Sequence, residues 1–264
     1  MDNHKNIQQK LRLNLLKMYK NANAGHIGCS LSCIDLMIAS LILNKKETEQ
    51  FVLSKGHAAA ALYVSLNHLG KISDEELATF YQDGTALPAH PAPNKFKDIP
   101  FATGSLGHGL PISVGIAIAN KMLGNDDFTY VLMSDGETNE GTTWEAAHYA
   151  NIQKLDNLIV MIDKNGIQGF GNTKDVFGDT ASKAKWELMG FEVVELGGHD
   201  VNTLSECIAN FKINKNSKPK LLIANTIKGK GVSYMENKME WHYNPMNDEQ
   251  YELAIKNVLS EYSN

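Results

Sequence analysis

The chain has 264 residues, enough to bury a substantial core as one large domain or two small ones. Its 43% apolar and 21% charged residues are ordinary for a globular protein. A net charge of −5, with lysines scattered and none interleaved with aromatics, excludes the electrostatic footprint of a nucleic-acid binder.

The opening segment MDNHKNIQQKLRLNLLKMYKNA is charged throughout, unlike a signal peptide, and places Ile7, Leu11, Leu15 and Met18 at helical spacing over 5–20. After the Gly-rich break NAGHIGCS a second helix is predicted over 31–43. The longest apolar stretch lies there, at 33–43, but it contains Asp35 and falls well short of the ~20 residues a bilayer span needs. QFVLSKGH reads as a short strand into a turn, and 58–70 as a helix closed by Gly70. Residues 73–100 hold four of the seven prolines, so they are expected to be mostly loop after a short helix at 74–81. TGSLGHGLPISVGIAIANKML is a Gly-rich loop followed by a helix of small residues. An alternation follows: strand 128–133, helix 142–154, strand 158–162, helix 180–189, strand 191–196, helix 203–214, strand 220–225. DEQYELAIKNVLSEYS reads as a closing helix. Strands alternating with helices predict a three-layer α/β/α domain with a mainly parallel sheet, and no linker divides 1–264. Cys29, Cys33 and Cys207 are too few for a disulfide framework, which suits a reducing, cytoplasmic setting with no membrane partner.

If 128–133 and 158–162 are consecutive parallel strands, their carboxyl ends share the edge of the sheet where such folds bind ligands. Asp135 ends the first and IDKNGIQ ends the second, so Asn165 follows Asp135 by 165 − 135 = 30 residues, one strand–helix–strand unit. A carboxylate, an amide oxygen and a backbone carbonyl are hard ligands suited to Mg²⁺ or Ca²⁺. Gly136 would let a phosphate approach its N–H at the start of the next helix. Two ordinary turns, Asp135-Gly136 and Asn165-Gly166, explain the same residues equally well.

Further segments resemble the transketolases, in particular the amino-terminal part that binds thiamine diphosphate. SDG with Asn165 is similar to the Gly-Asp-Gly…Asn signature of thiamine diphosphate enzymes. AGHIGCSLSCID, LSKGHAAAALY, ALPAHP, TGSLGHGL, DGETNEGTTWEAA and NTIKGKGVSYMENKMEWH follow the family in the same order, from about 25 to 245. The resemblance implies that Asp135, Asn165 and the Ile167 carbonyl hold Mg²⁺ (or Ca²⁺ or Mn²⁺), with the Gly136 N–H on the diphosphate. Gly104 and Leu106 would present backbone to the aminopyrimidine. His57 would lie near the diphosphate and thiazolium, His26 and His90 would face the substrate carbonyl and hydroxyls, and His242 would be the last active-site histidine. Glu140 resembles an acid that joins a network across a subunit interface. Imidazoles suit a sugar carbonyl whose hydroxyls gain and lose protons near neutral pH. His68, His148 and His199 are expected on helix surfaces or loops.

Ser134 replaces the first glycine of the family signature. His108 stands where glutamine is usual, and Gly169 where an apolar residue often supports the thiazolium. Tyr243 follows His242 where a glycine is usual. The family's pyrimidine-binding domain is absent from the sequence. The resemblance therefore implies the amino-terminal subunit of a split transketolase, which moves a two-carbon ketol unit from a ketose or its phosphate to an aldose. Such a subunit would be inactive without a carboxy-terminal partner of roughly 300 residues, in a two-plus-two assembly. The rival readings are a deoxyxylulose phosphate synthase-like or acyloin-forming enzyme half, and a non-catalytic scaffold that kept the fold. A zinc hydrolase lacks His-x-x-x-His, and a dinucleotide enzyme lacks Gly-x-Gly-x-x-Gly after a strand.

Overall fold

The computed structural model describes residues 3–93 and 96–263. α1 (Asn3–Ala22) turns Leu11, Leu15 and Met18 inward. α2 (Ile27–Met37) begins before the expected position and runs into a wider π-turn at Ile38–Ile42. β1 (Gln50–Leu53), α3 (Ala59–His68) and α4 (Asp74–Leu77) follow. Gly70, with φ of 71°, stops the chain after α3, and a Ser73–Glu76 capping box opens α4. α4 ends sooner than 81, and residues 94–95 of the expected loop lie outside the described residues. Next come α5 (Gly109–Met122), β2 (Thr129–Ser134), α6 (Gly141–Ile152) and β3 (Leu158–Lys164). No periodicity announces the small antiparallel hairpin of β4 (Ile167–Gln168) and β5 (Gly171–Asn172), or the short α7 (Thr173–Phe177). α8 (Lys183–Leu188), β6 (Glu192–Gly197), α9 (Val201–Ile213), β7 (Lys220–Asn225) and α10 (Asp248–Glu261) complete the order.

Five strands form one all-parallel sheet in the order β1-β2-β3-β7-β6. Successive strand residues point to opposite faces, and the two cores show it. Tyr130, Leu132, Ile159, Met161 and Leu222 join the core beneath α1, α2, α3, α9 and α10. Val131, Met133, Val160, Ile162 and Leu221 join the core beneath α5, α6 and α8. The expected three-layer α/β/α architecture is the one observed. Among the described residues no helix is long and apolar enough to cross a membrane.

Asp35, the acid inside the apolar stretch, is fully buried and paired. Arg12 donates to it through both terminal nitrogens at 2.8 and 2.6 Å, and Gln8 adds a bond of 2.9 Å. His199 is therefore more than a loop residue, since its Nδ1 lies 2.8 Å from the same carboxylate. Register places the ends of β1, β2, β3 and β7 along one edge, with Leu53 opposite Leu132, Ser134 opposite Asp163, and Lys164 opposite Asn225. Lys55, Asp135, Asn165 and Lys228 lie shortly beyond these strand ends.

Candidate active site

A cavity of 270 Å³ opens over this edge. Asp135, 2% exposed, lies in its wall. Its carboxylate accepts from the N–H of Gly136 at 2.8 Å, the N–H of Gly166 at 2.7 Å and the Thr173 hydroxyl at 3.1 Å. These partners are neutral, and among the described residues no ion pair reaches Asp135. Burial pushes its pKa up, and the neighbouring Asp163 adds to the rise. Asp163 itself is fully buried but paired. The Lys55 ammonium, the Thr226 hydroxyl and the Ser32 hydroxyl at 2.6 Å all bond to it. Burial works against its charge, but Lys55 and the Ser32 and Thr226 hydroxyls together outweigh burial and hold the carboxyl below its usual range.

The oxygen set fits a hard cation. Asp135 uses three of its roughly four acceptor positions. Asn165 Oδ1 has one partner, the Ile167 N–H at 3.0 Å, and the Ile167 carbonyl has one, Lys228 Nζ at 3.1 Å. Each oxygen keeps acceptor capacity for a metal. Among the described residues no group of three or more His, Cys, Asp or Glu side chains gathers as a metal cluster. A cation here would rest on one carboxylate, one amide and one carbonyl.

The four sequence-selected histidines meet in the same cavity. The His26 ring lies 5.9 Å from His57, 6.1 Å from His90 and 5.0 Å from His242, and His57 stacks on His242 at 5.7 Å. They arrive from the start of α2, the turn after β1, the loop before α5 and the turn before α10. His26 holds φ of 74°, a strained backbone position for a non-glycine residue, while its N–H donates to the His242 carbonyl at 3.1 Å. It stands at the N-cap of α2 but makes no side-chain capping bond. Burial, then the neighbouring His242, lowers the His26 pKa to about 4. Burial and Lys228 lower His242 to about 4. His57 and His90 are lowered by burial as well. These imidazoles are therefore neutral at pH 7. Lys228 Nζ is 2.9 Å from His242 Nδ1, and an ammonium can only donate, so the neutral ring carries its proton on Nε2.

Gly104, Leu106 and Gly136 also line the cavity. Gly104, with φ of 125° and a Cβ that would sit 2.6 Å from His90 Cδ2, needs the bare backbone, while a Cβ on Gly136 would sit 2.8 Å from Gln168 Oε1 and displace that side chain. Glu140 is exposed at the N-cap of α6 and does not line the cavity; the buried acid of that segment is Glu137. Glu137 accepts from the Ser54 hydroxyl and from the Gly107 N–H at 2.8 Å, tying the Gly-rich loop to β2. His108 is exposed at the start of α5, outside the cavity lining.

Sequence alone assigns no role to Lys55, Asp163, Gln168 or Lys228, although each lies inside a quoted motif. The usable signal is position, since each falls at or just after the carboxyl end of a strand. Gln168 Nε2 is buried beside the cavity without a partner among the described residues, a donor suited to an anionic oxygen. Cys29 lines the cavity too. Burial raises its thiol, but Lys228, His57 and Lys55 together outweigh this and bring it to about 6.

A parallel α/β sheet with an acid–amide–carbonyl corner, bare glycines and clustered histidines at its carboxyl edge defines a cofactor-binding domain for a phosphorylated group. Residues 3–260 match the family model described as transketolase, thiamine diphosphate binding domain. The chain is 41% identical over 259 residues to an apulose-4-phosphate transketolase subunit of Phocaeicola vulgatus, covering 95% of this chain and 92% of that one. It is 34% identical over 246 residues to a 6-deoxy-6-sulfo-D-fructose transketolase subunit of a Clostridium strain, covering 90% and 89%. The transketolase from Leishmania mexicana matches in structure with a TM-score of 0.88 at 27% identity, covering 99% of this chain and 41% of that chain. This chain thus spans about two fifths of that enzyme's length. It belongs to the transketolase family, and it corresponds to the amino-terminal subunit of a two-chain transketolase.

Proposed function

We propose that the chain, as one thiamine diphosphate-binding domain over 1–264, takes part in transfer of a two-carbon ketol unit from a ketose or ketose phosphate to an aldose. Its partner would be a carboxy-terminal subunit carrying the pyrimidine-binding domain, in an assembly with two copies of each chain. The observation that carries the reading is the meeting of His26, His57, His90 and His242 in the cavity whose wall holds Asp135, Asn165 and the Ile167 carbonyl. Thiamine diphosphate, when bound, supplies the carbon nucleophile and the electron sink for carbon–carbon cleavage. Asp135, Asn165 and the Ile167 carbonyl would hold Mg²⁺, while Gly136, Gln168 and Lys228 would hold the diphosphate. Gly104 and Leu106 would present backbone to the aminopyrimidine.

The neutral state of His26 and His242 matters for the chemistry. A neutral imidazole can accept a hydrogen bond from a substrate hydroxyl and take its proton as that oxygen becomes a carbonyl, then give the proton to the alkoxide formed when an acceptor carbonyl is attacked. His26 has no protein hydrogen-bond partner for its ring among the described residues, so it is free for a sugar. Two relatives named for different ketoses support the ketol-transfer class without choosing one sugar. Three buried free thiols support a cytoplasmic setting. Glu140, exposed beside the Gly107 loop, supports a place for the partner subunit next to the cavity.

Native mass spectrometry of the tagged chain recovered from its own cells, with Mg²⁺ and thiamine diphosphate present, tests this reading. The expected result is a second chain of roughly 300 residues, about two further domains, with the cofactor mass retained. The chain alone, crosslinked or not, with no cofactor mass at saturating concentration, would instead support a scaffold that has lost its chemistry.

A further inference from the structure

Gly169 lies in the turn of the β4–β5 hairpin, yet its φ is outside the left-handed region, so the backbone there does not require glycine. Space requires it. A Cβ at 169 would sit 2.4 Å from the Tyr243 hydroxyl oxygen, 3.4 Å from Tyr243 Cζ and 3.7 Å from His242 Nε2. A side chain at 169 and the hydroxyl end of Tyr243 therefore compete for one place. Tyr243 holds that place by donating from its hydroxyl to the Gly169 carbonyl at 3.1 Å. Its ring packs against His242 at 4.7 Å and approaches His26 at 6.4 Å. The other end of the residue is fixed as well, because a Cβ on Gly25 would lie 2.3 Å from the Tyr243 carbonyl oxygen. Two glycines thus make room for one tyrosine that joins the hairpin, the His242 turn and the start of α2. The ring is 54% exposed while lining the cavity, which places it at the mouth and not in the floor.

We propose that Tyr243 is the wall that stands in for the side chain missing at 169, and that it determines which aldose acceptors the pocket admits. The inference rests on the transketolase reading for its substrate and on the hairpin geometry for its mechanism. The ring narrows the entrance above the histidines, and its hydroxyl keeps the hairpin closed against the His242 turn. Short hydroxyaldehydes pass this entrance freely, whereas longer aldoses must fit beside the ring.

The test uses the reconstituted two-subunit enzyme with thiamine diphosphate and Mg²⁺, one ketose donor, and glycolaldehyde or ribose as acceptor. Tyr243→Ala should shift the ratio of kcat/KM towards ribose by about tenfold, a pocket-contact effect of ordinary size. Tyr243→Phe should keep the wild-type ratio, because it retains the wall and loses only the bond. Gly169→Ala should push the hydroxyl end of the ring aside and shift the ratio in the same direction as Tyr243→Ala, and the double variant should shift no further than Tyr243→Ala. A second readout needs no activity. Amide hydrogen exchange across 166–172 should quicken about threefold to tenfold in Tyr243→Phe, the loss of one hydrogen bond. Unchanged acceptor ratios in Tyr243→Ala, additive shifts in the double variant, or unchanged exchange in Tyr243→Phe would each overturn the assignment. If the wild-type complex transfers no ketol unit, the functional reading fails, and the exchange experiment still decides whether Tyr243 holds the hairpin.

Discussion

Two aspartates, Asp35 and Asp135, are buried almost alike, at 0% and 2% exposure, and differ in everything else. Asp35 faces the Arg12 guanidinium through both oxygens, with Gln8 and His199 around it. Burial disfavours its charge, but Arg12 and His199 together outweigh burial and hold the carboxyl well below the usual range. Asp135 has three donors and no counter-charge, so burial, reinforced by Asp163, pushes its carboxyl up. A buried acid with a cation of its own completes the structure. A buried acid held open by neutral donors has room for a cation that would come from outside. The difference separates framework from site without reference to any relative.

The same substitution at both positions should break the symmetry. Asp35→Asn leaves Arg12 buried without its counter-charge and should cost about 3–5 kcal/mol, read as a fall in the urea midpoint with an unchanged slope. Acid sharpens the contrast. Because the folded pKa of Asp35 is depressed, its stabilisation is present above the unfolded value near 4 and is lost as pH falls below it. The wild type should therefore lose stability below about pH 4 along a slope that Asp35→Asn lacks. For Asp135 the sign is opposite. In metal-free protein its raised pKa is a penalty at neutral pH that protonation relieves as pH falls. Asp135→Asn should leave metal-free stability within about 1 kcal/mol, since one acceptor oxygen remains. In the assembled enzyme it should weaken Mg²⁺-dependent thiamine diphosphate binding on the order of a thousandfold, measured by titration calorimetry. Unchanged affinity would remove Asp135 from the metal site.

Two histidines extend the comparison. His26 offers its ring to the cavity with no protein bond among the described residues, whereas both ring nitrogens of His199 are engaged by protein. His26→Ala should lower turnover about 100-fold while changing cofactor affinity little, as expected for a group that handles substrate protons. A variant with intact turnover would mean that His26 shapes the loop only.

The elements that were legible in the sequence are those with a period. Every strand of the main sheet lies within a residue or two of its expected place, because alternating core contacts require continuous apolar runs such as Leu158–Ile162. The β4–β5 hairpin was not legible, since strands of two residues have no period to read. The site follows the same division. Asp135 and Asn165 stand out because each ends an apolar strand, and His26 and His57 because they lie in glycine-rich segments. Lys55 and Asp163 do not stand out, for their meaning is a contact across 108 residues of chain. Tyr243 and Gly169 were visible only as two separate departures from a family pattern. That a Cβ at 169 would meet the Tyr243 hydroxyl is a fact of space.

His199→Gln is the smallest of these effects and the most exacting for the comparison. Asp35 is ionised, so the nitrogen facing it, Nδ1, must carry the proton, and Nε2 must be the acceptor for the Ile227 N–H at 2.8 Å. The ring is thus a neutral strut between α2 and the segment that leads into Lys228. Glutamine offers one donor and one acceptor but not at the same separation or in the same rigid plane. One of the two bonds should weaken, for a loss of about 1 kcal/mol in the urea midpoint. Turnover and acceptor preference should stay at wild-type values, because nothing in the cavity touches this ring. If His199→Gln instead loses turnover as severely as His26→Ala, then the Asp35 network reaches the chemistry through Ile227 and Lys228, and framework and site are one coupled unit.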